Sequence, residues 1–132
     1  MLNVLGGARL LPSFEMRLPG AQQAVVDINK LRDYCLNPSH PRGRHKARVF
    51  VSALRIRQTD AEWLQEKLLA VALEQDAVPG EADKYGHRYI VDFECVHQEH
   101  RATVRSGWII RCGETIPRLR TCYVLSNKEA YE

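Results

Sequence analysis

Arg88-Tyr89-Ile90-Val91-Asp92-Phe93-Glu94-Cys95-Val96 is the stretch where the pattern of the chain changes. Tyr89, Val91, Phe93 and Cys95 alternate with Ile90, Asp92, Glu94 and Val96, and a period of two marks a strand with two different faces. His97-Gln98-Glu99-His100 then reads as a hairpin loop. A second strand from Ala102 to Cys112 puts Ala102, Val104, Ser106, Trp108 and Ile110 on one face. Gly113-Glu114-Thr115-Ile116-Pro117 turns the chain, and a third strand runs from Leu119 to Ser126.

Upstream the period is helical. Ala24-Val25-Val26 suggests a short edge strand, after which Asp27 caps a helix through Leu36 with Ile28, Leu31 and Tyr34 or Cys35 on one face. Residues 37–43, Asn-Pro-Ser-His-Pro-Arg-Gly, are rich in breakers and form a loop. Ala47, Phe50, Val51 and Leu54 recur at helical spacing, giving a second helix from Arg44 to Arg57. Thr59-Asp60-Ala61-Glu62 matches a capping box that opens a third helix carrying Leu64, Leu68, Val71 and Ala72. This helix ends before Pro79-Gly80, and Glu81 to Gly86 reads as a polar turn. The expectation is an α+β fold, with N-terminal helices packed on an antiparallel meander of three to four strands. Residues 17–126 form the single domain, 1–16 an appendage and 127–132 a tail.

The 132 residues, 45% apolar and 27% charged, suffice for one compact core without disulfides or metals. No apolar run reaches the length of a membrane span, and residues 1–15 lack the basic start of a secretory signal. The expected location is the cytoplasm, or wherever a carrier protein delivers the domain. Cys35, Cys95, Cys112 and Cys122 include no C-x-x-C pair, so they read as reduced structural thiols. Walker, dinucleotide-glycine and G-x-S-x-G motifs are absent. His97, Glu99 and His100 could together hold a divalent ion, but surface loop chemistry is the reading adopted, and no metal or cofactor is expected.

Charge is segregated along the chain. Residues 1–57 carry ten Lys or Arg against three Asp or Glu, residues 58–100 carry three against ten, and residues 101–132 carry six against three. The densest cationic stretch is His40-Pro41-Arg42-Gly43-Arg44-His45-Lys46-Ala47-Arg48, at a loop-to-helix junction. Free amides, the helix dipole and Arg and Lys charges converge there on an anion, and a histidine beside them can move a proton. Arg105, Arg111, Arg118 and Arg120 add charge from the strands, Ser106, Thr121 and Tyr123 add hydroxyls, and Trp108 offers a surface for stacking a base or a core anchor. Three readings stand side by side: a solvated turn, a phosphate-binding site, and a site that cleaves phosphodiesters.

Leu18-Pro19-Gly20-Ala21, Lys30-Leu31-Arg32-Asp33-Tyr34-Cys35-Leu36, His40-Pro41-x-Gly43-Arg44-x-Lys46-Ala47, Ser106-Gly107-Trp108 and Thr121-x-Tyr123 resemble an uncharacterised family of small bacterial domains over roughly residues 17–125. Such domains look like toxin-type genes or the C-terminal tips of larger secreted proteins. Their element order is similar to that of the barnase, EndoU, colicin nuclease and RelE superfamily of metal-independent ribonucleases. That resemblance implies His40 and Lys46 as catalytic residues, Arg44 as a phosphate ligand and Thr121 as a contributor from the sheet. Arg42, His45, Arg105, Trp108 and Tyr123 are then substrate-binding candidates. RNA, tRNA among the candidates, is the expected substrate, and an acidic antitoxin or immunity protein the expected partner. The rival expectation is a non-catalytic nucleic-acid- or protein-binding module of accessory or immunity type.

Overall fold

The computed structural model describes residues 16–125, so the appendage before Met16 and the tail after Leu125 lie outside the described residues. A first short helix, α1 (Ile28–Lys30), continues into a π turn (Leu31–Cys35), followed by α2 (Arg44–Leu54) and α3 (Ala61–Glu74). Four strands follow: β1 (Val78–Asp83), β2 (Gly86–His97), β3 (His100–Arg111) and β4 (Pro117–Val124). They pair antiparallel in chain order, an α+β arrangement with the helices before the sheet.

The helices cover one face of the sheet. Val91, Phe93 and Cys95 of β2, Val104 and Trp108 of β3, and Leu119, Cys122 and Val124 of β4 form one core with Phe50, Leu54, Leu64 and Leu68. The strand alternation read around Arg88 is thus the inside-outside alternation of the sheet. Trp108 is fully buried, its indole N–H donating to Ser106 Oγ at 2.9 Å while Ser106 donates to the Val91 carbonyl at 2.7 Å. The expectation that Trp108 stacks a base is corrected here: neither ring face is exposed.

Asp27 caps α1 as expected, accepting the Asn29 amide at 2.9 Å. The Leu36 amide then reaches the Leu31 carbonyl at 2.8 Å, and the widened turn lets Leu31, Cys35 and Leu36 all face the core. α2 stops at Leu54, short of the expected Arg57, because Arg55 turns left-handed (φ 58°) and drops Ile56 into the core. α3 lacks the expected Thr59 cap. A single 3₁₀ turn (Gln58–Asp60) leads into it, with the Asp60 carboxylate accepting the Arg57 amide at 2.9 Å. Val25 forms only one bridge to Arg118, in place of a strand over residues 24–26.

Two corrections concern the sheet. Residues 81–83 belong to no turn, since β1 is an exposed edge strand that tolerates Pro79 because no strand among the described residues pairs beyond it. The β2–β3 hairpin closes in two residues, Gln98 (φ 49°) and Glu99 (φ 67°), and His97 is therefore a strand residue. It is buried, its Nδ1–H donating to the Leu54 carbonyl at 2.7 Å and its ring against Trp63. Among the described residues no His, Cys, Asp and Glu gather into a metal-binding group, and no helix is long and apolar enough to cross a membrane.

Candidate anion-binding groove

The breaker loop between α1 and α2 is built by its own side chains. Asn37 Oδ1 accepts the Ser39 amide at 2.9 Å, and His40 Nδ1 accepts the amides of Arg42 and Gly43 at 3.0 and 3.1 Å. The imidazole caps the turn of residues 40–43 that leads into α2, as an Asn or Asp side chain does at a helix start, and it needs its Nδ1 lone pair to do so. Its ring also stands edge-on against Tyr34, 4.8 Å between centroids. Gly43 is buried against the π turn, where a Cβ would come within 2.1 Å of the Tyr34 carbonyl oxygen. The His-Pro-x-Gly run thus presses the start of α2 onto Tyr34.

One turn into α2, Lys46 leans over the edge of β4. Its Nζ lies 3.5 Å from Thr121 Oγ1, 4.9 Å from the centre of the Tyr123 ring and 6.0 Å from that of Tyr34. These contacts border a cavity of about 480 Å³ lined by Lys30, Lys46, Arg111, Arg118 and Arg120, with Tyr34 and Thr121. No carboxylate lines it, and of the five cations only Arg118 has an acidic partner among the described residues, Glu114 at 3.1 Å. Positive charge held in a concave wall raises the local anion concentration.

Beneath the cavity sit two fully buried thiols. Hydrogen bonding to Cys122 pulls the Cys35 thiol down to about 7 against the opposing effect of burial, and the charges of Lys30 and Lys46 assist. The shared proton and burial push Cys122 up. Both lysines therefore act on one point below the groove.

Of the expected site residues, the fold brings together Lys46, Thr121 and Tyr123. His40 stands behind Tyr34 as a cap and does not line the groove. Arg42, Arg44 and His45 are exposed at the start of α2, outside it. Arg105 is gripped by Asp92 through two 2.9 Å hydrogen bonds, which hold its guanidinium more firmly charged, and it stands opposite Tyr123 in the β3–β4 pairing. Its charge is offset by the Asp92 carboxylate. Lys30 and Tyr34 were not among the expected residues. The only local trace of them is their i,i+4 spacing beside the apolar face of α1.

Three comparisons bear on this arrangement. The family model described as Domain of unknown function (DUF6883) matches residues 17–126. No curated protein matches the chain. A chain of the solved "Contact-dependent growth inhibition toxin - immunity protein complex from Klebsiella pneumoniae 342" superposes with a TM-score of 0.59 at 16% identity, covering 76% of this chain and 99% of that one. At that identity the likeness is one of fold.

Proposed function

Since the chain belongs to that family, whose description assigns no activity, we propose from the site itself that it is a toxin-like domain that cleaves RNA without a metal. The observation that carries the proposal is the convergence of Lys46 and Thr121, 75 positions apart, in a cavity lined by five cations and no carboxylate. Such a wall attracts a phosphodiester and opposes a divalent cation.

In the reaction the ribose 2′-hydroxyl gives its proton to solvent water and its oxygen bonds to phosphorus. The bond to the 5′-oxygen breaks and that oxygen takes up a proton, leaving a 2′,3′-cyclic phosphate and a 5′-hydroxyl. Lys46 and Arg120 stabilise the charge that grows on the non-bridging oxygens, and Thr121 orients Lys46. The Tyr34 phenol is the proton-carrying group that lines the same cavity. His40 acts as a positioning residue, while Arg42, Arg44 and His45 extend the basic surface toward the rest of the RNA. A toxin of this kind is neutralised by an acidic immunity protein or antitoxin covering the groove.

The structural neighbour comes from a complex of a toxin with an immunity protein, so the fold equally supports a non-catalytic, immunity-type module. Purified chain incubated with total RNA and one defined tRNA in EDTA separates the readings. The expected result is cleavage to cyclic-phosphate ends, reduced about 10²–10³-fold in Lys46→Ala. Salt-sensitive RNA binding without cleavage favours the binding module. Neither binding nor cleavage leaves a protein partner as the ligand of the groove.

A further inference from the structure

The cavity beside Lys46 does not end at Lys30. A second cavity of about 220 Å³ shares Lys30, Arg111, Arg118 and Leu119 with it, so the two adjoin beside β4 and are taken together as one groove. Lys46, Arg120 and Thr121 belong to the larger end alone, and Lys30 and Arg111 stand at the junction. Val25 and Asp27 line only the smaller end, where the Asp27 carboxylate repels a further anion. Each of the two ammonium groups lies 6.0 Å from the centre of the Tyr34 ring, so the two charges stand within twice that distance of each other.

The charge balance of this groove exceeds one phosphate. With Arg118 paired to Glu114, four cations stay without an acidic partner among the described residues, whereas a phosphodiester brings a single negative charge. The larger end alone has the volume of a small-ligand site, far more than one tetrahedral anion fills.

Resting on the reading of the groove as a phosphate site, we infer that it holds two successive phosphates of one nucleic-acid strand. One sits at Lys46, Arg120 and Thr121, the next at Lys30 and Arg111, and Asp27 marks where the anionic path stops. The unit of recognition is therefore a nucleoside carrying phosphates on both its 3′ and 5′ oxygens, and Lys30 and Arg111 measure the spacing.

Calorimetric titration of the full chain with uridine 3′-monophosphate, uridine 3′,5′-bisphosphate and uridine 5′-diphosphate tests this. The bisphosphate is expected to bind at least about tenfold more tightly than either of the others, since its second phosphate engages at high effective concentration. The diphosphate controls for phosphate number, because its two phosphates are joined on one side of the ribose and cannot span the two positions; it carries one negative charge fewer at full ionisation. Salt should weaken binding of the bisphosphate more steeply than that of the monophosphate, since two phosphates then face cations of the groove. In Lys30→Ala and Arg111→Ala, checked for folding by thermal melting, the preference for the bisphosphate collapses toward one, and Lys30→Arg restores it. Equal binding of all three probes by the wild type, or a preference that survives both alanine variants, overturns the inference. A chain that cleaves RNA without this preference loses the two-phosphate groove alone. A chain that neither binds these probes nor cleaves RNA loses the phosphate reading as well.

Discussion

Replacing Gly43 with Ala tests whether the breaker loop seats Tyr34 and Lys46. A Cβ there would lie 2.1 Å from the Tyr34 carbonyl oxygen, 3.0 Å from its carbonyl carbon and 3.3 Å from Cδ1 of the ring. Ordinary contact begins near 3.4 Å, so the loop and the π turn must part by more than 1 Å at a backbone oxygen that no rotamer change can move aside. Overpacking of this kind costs about 1–3 kcal/mol. In a domain of this size each kcal/mol is worth roughly 4 °C, so the melting temperature should fall by about 4–12 °C. Because the Tyr34 ring also stands near both Lys30 and Lys46, phosphate binding by the still-folded variant should weaken too. Urea titration with matched calorimetry reads both effects. A variant melting within about 1 °C of wild type would show that the two backbones do not meet and that the motif glycine serves another purpose.

Three further outcomes follow from the same geometry. His40→Ala should cost about 1–2 kcal/mol in a denaturant titration, and His40→Asn, which keeps an acceptor at the helix start, should recover most of it; a stable alanine variant that has lost all cleavage would instead put the imidazole in the chemistry. Trp108→Phe should destabilise by about 1–3 kcal/mol, since it leaves a gap and removes the indole donor to Ser106 Oγ, whose own bond to Val91 stays, yet leave RNA affinity of the folded protein within about twofold, measured by fluorescence anisotropy. In a Cys112→Ser background, thiolate absorbance should show Cys35 ionising near 7, with the midpoint moving up in Cys122→Ala and, to a smaller extent, in Lys46→Ala. Because that folded value lies below the ordinary 9.0, Cys35 ionisation favours the fold: its contribution is full above pH 9 and lost as pH falls through about 7.

The features legible in the sequence were those set by neighbours along the chain. The apolar positions of α2 and α3, the Asp27 cap, the breaker loop and the alternation of β2 all depend on residues within about one helical turn or a few strand positions. The concentration of cations around Lys46 was evident too, since helix start and charge are local properties, but of that stretch only Lys46 lines the groove. The edge strand β1 was not legible. Its Val78-Pro79-Gly80-Glu81-Ala82-Asp83 run has no buried face, so no apolar period announces it, and only β2 beside it makes it a strand.

The partnerships of the polar side chains were decided by the tertiary structure. His40 and His45 are equally histidines in the sequence, but the path of the loop makes the first a cap and leaves the second in solvent. Arg105 and Arg120 are alike in composition, and the antiparallel register alone places Asp92 opposite the first and no acid beside the second. Lys30, Lys46, Arg111 and Thr121 meet only because α2 and the π turn that continues α1 pack against β4. The sequence by itself determined the helical segments, the strands β2, β3 and β4 and the faces they bury, because propensity and periodicity act over short range. Which charges remain free to bind a phosphate depends on what folding sets across from each of them, and only packing decides that.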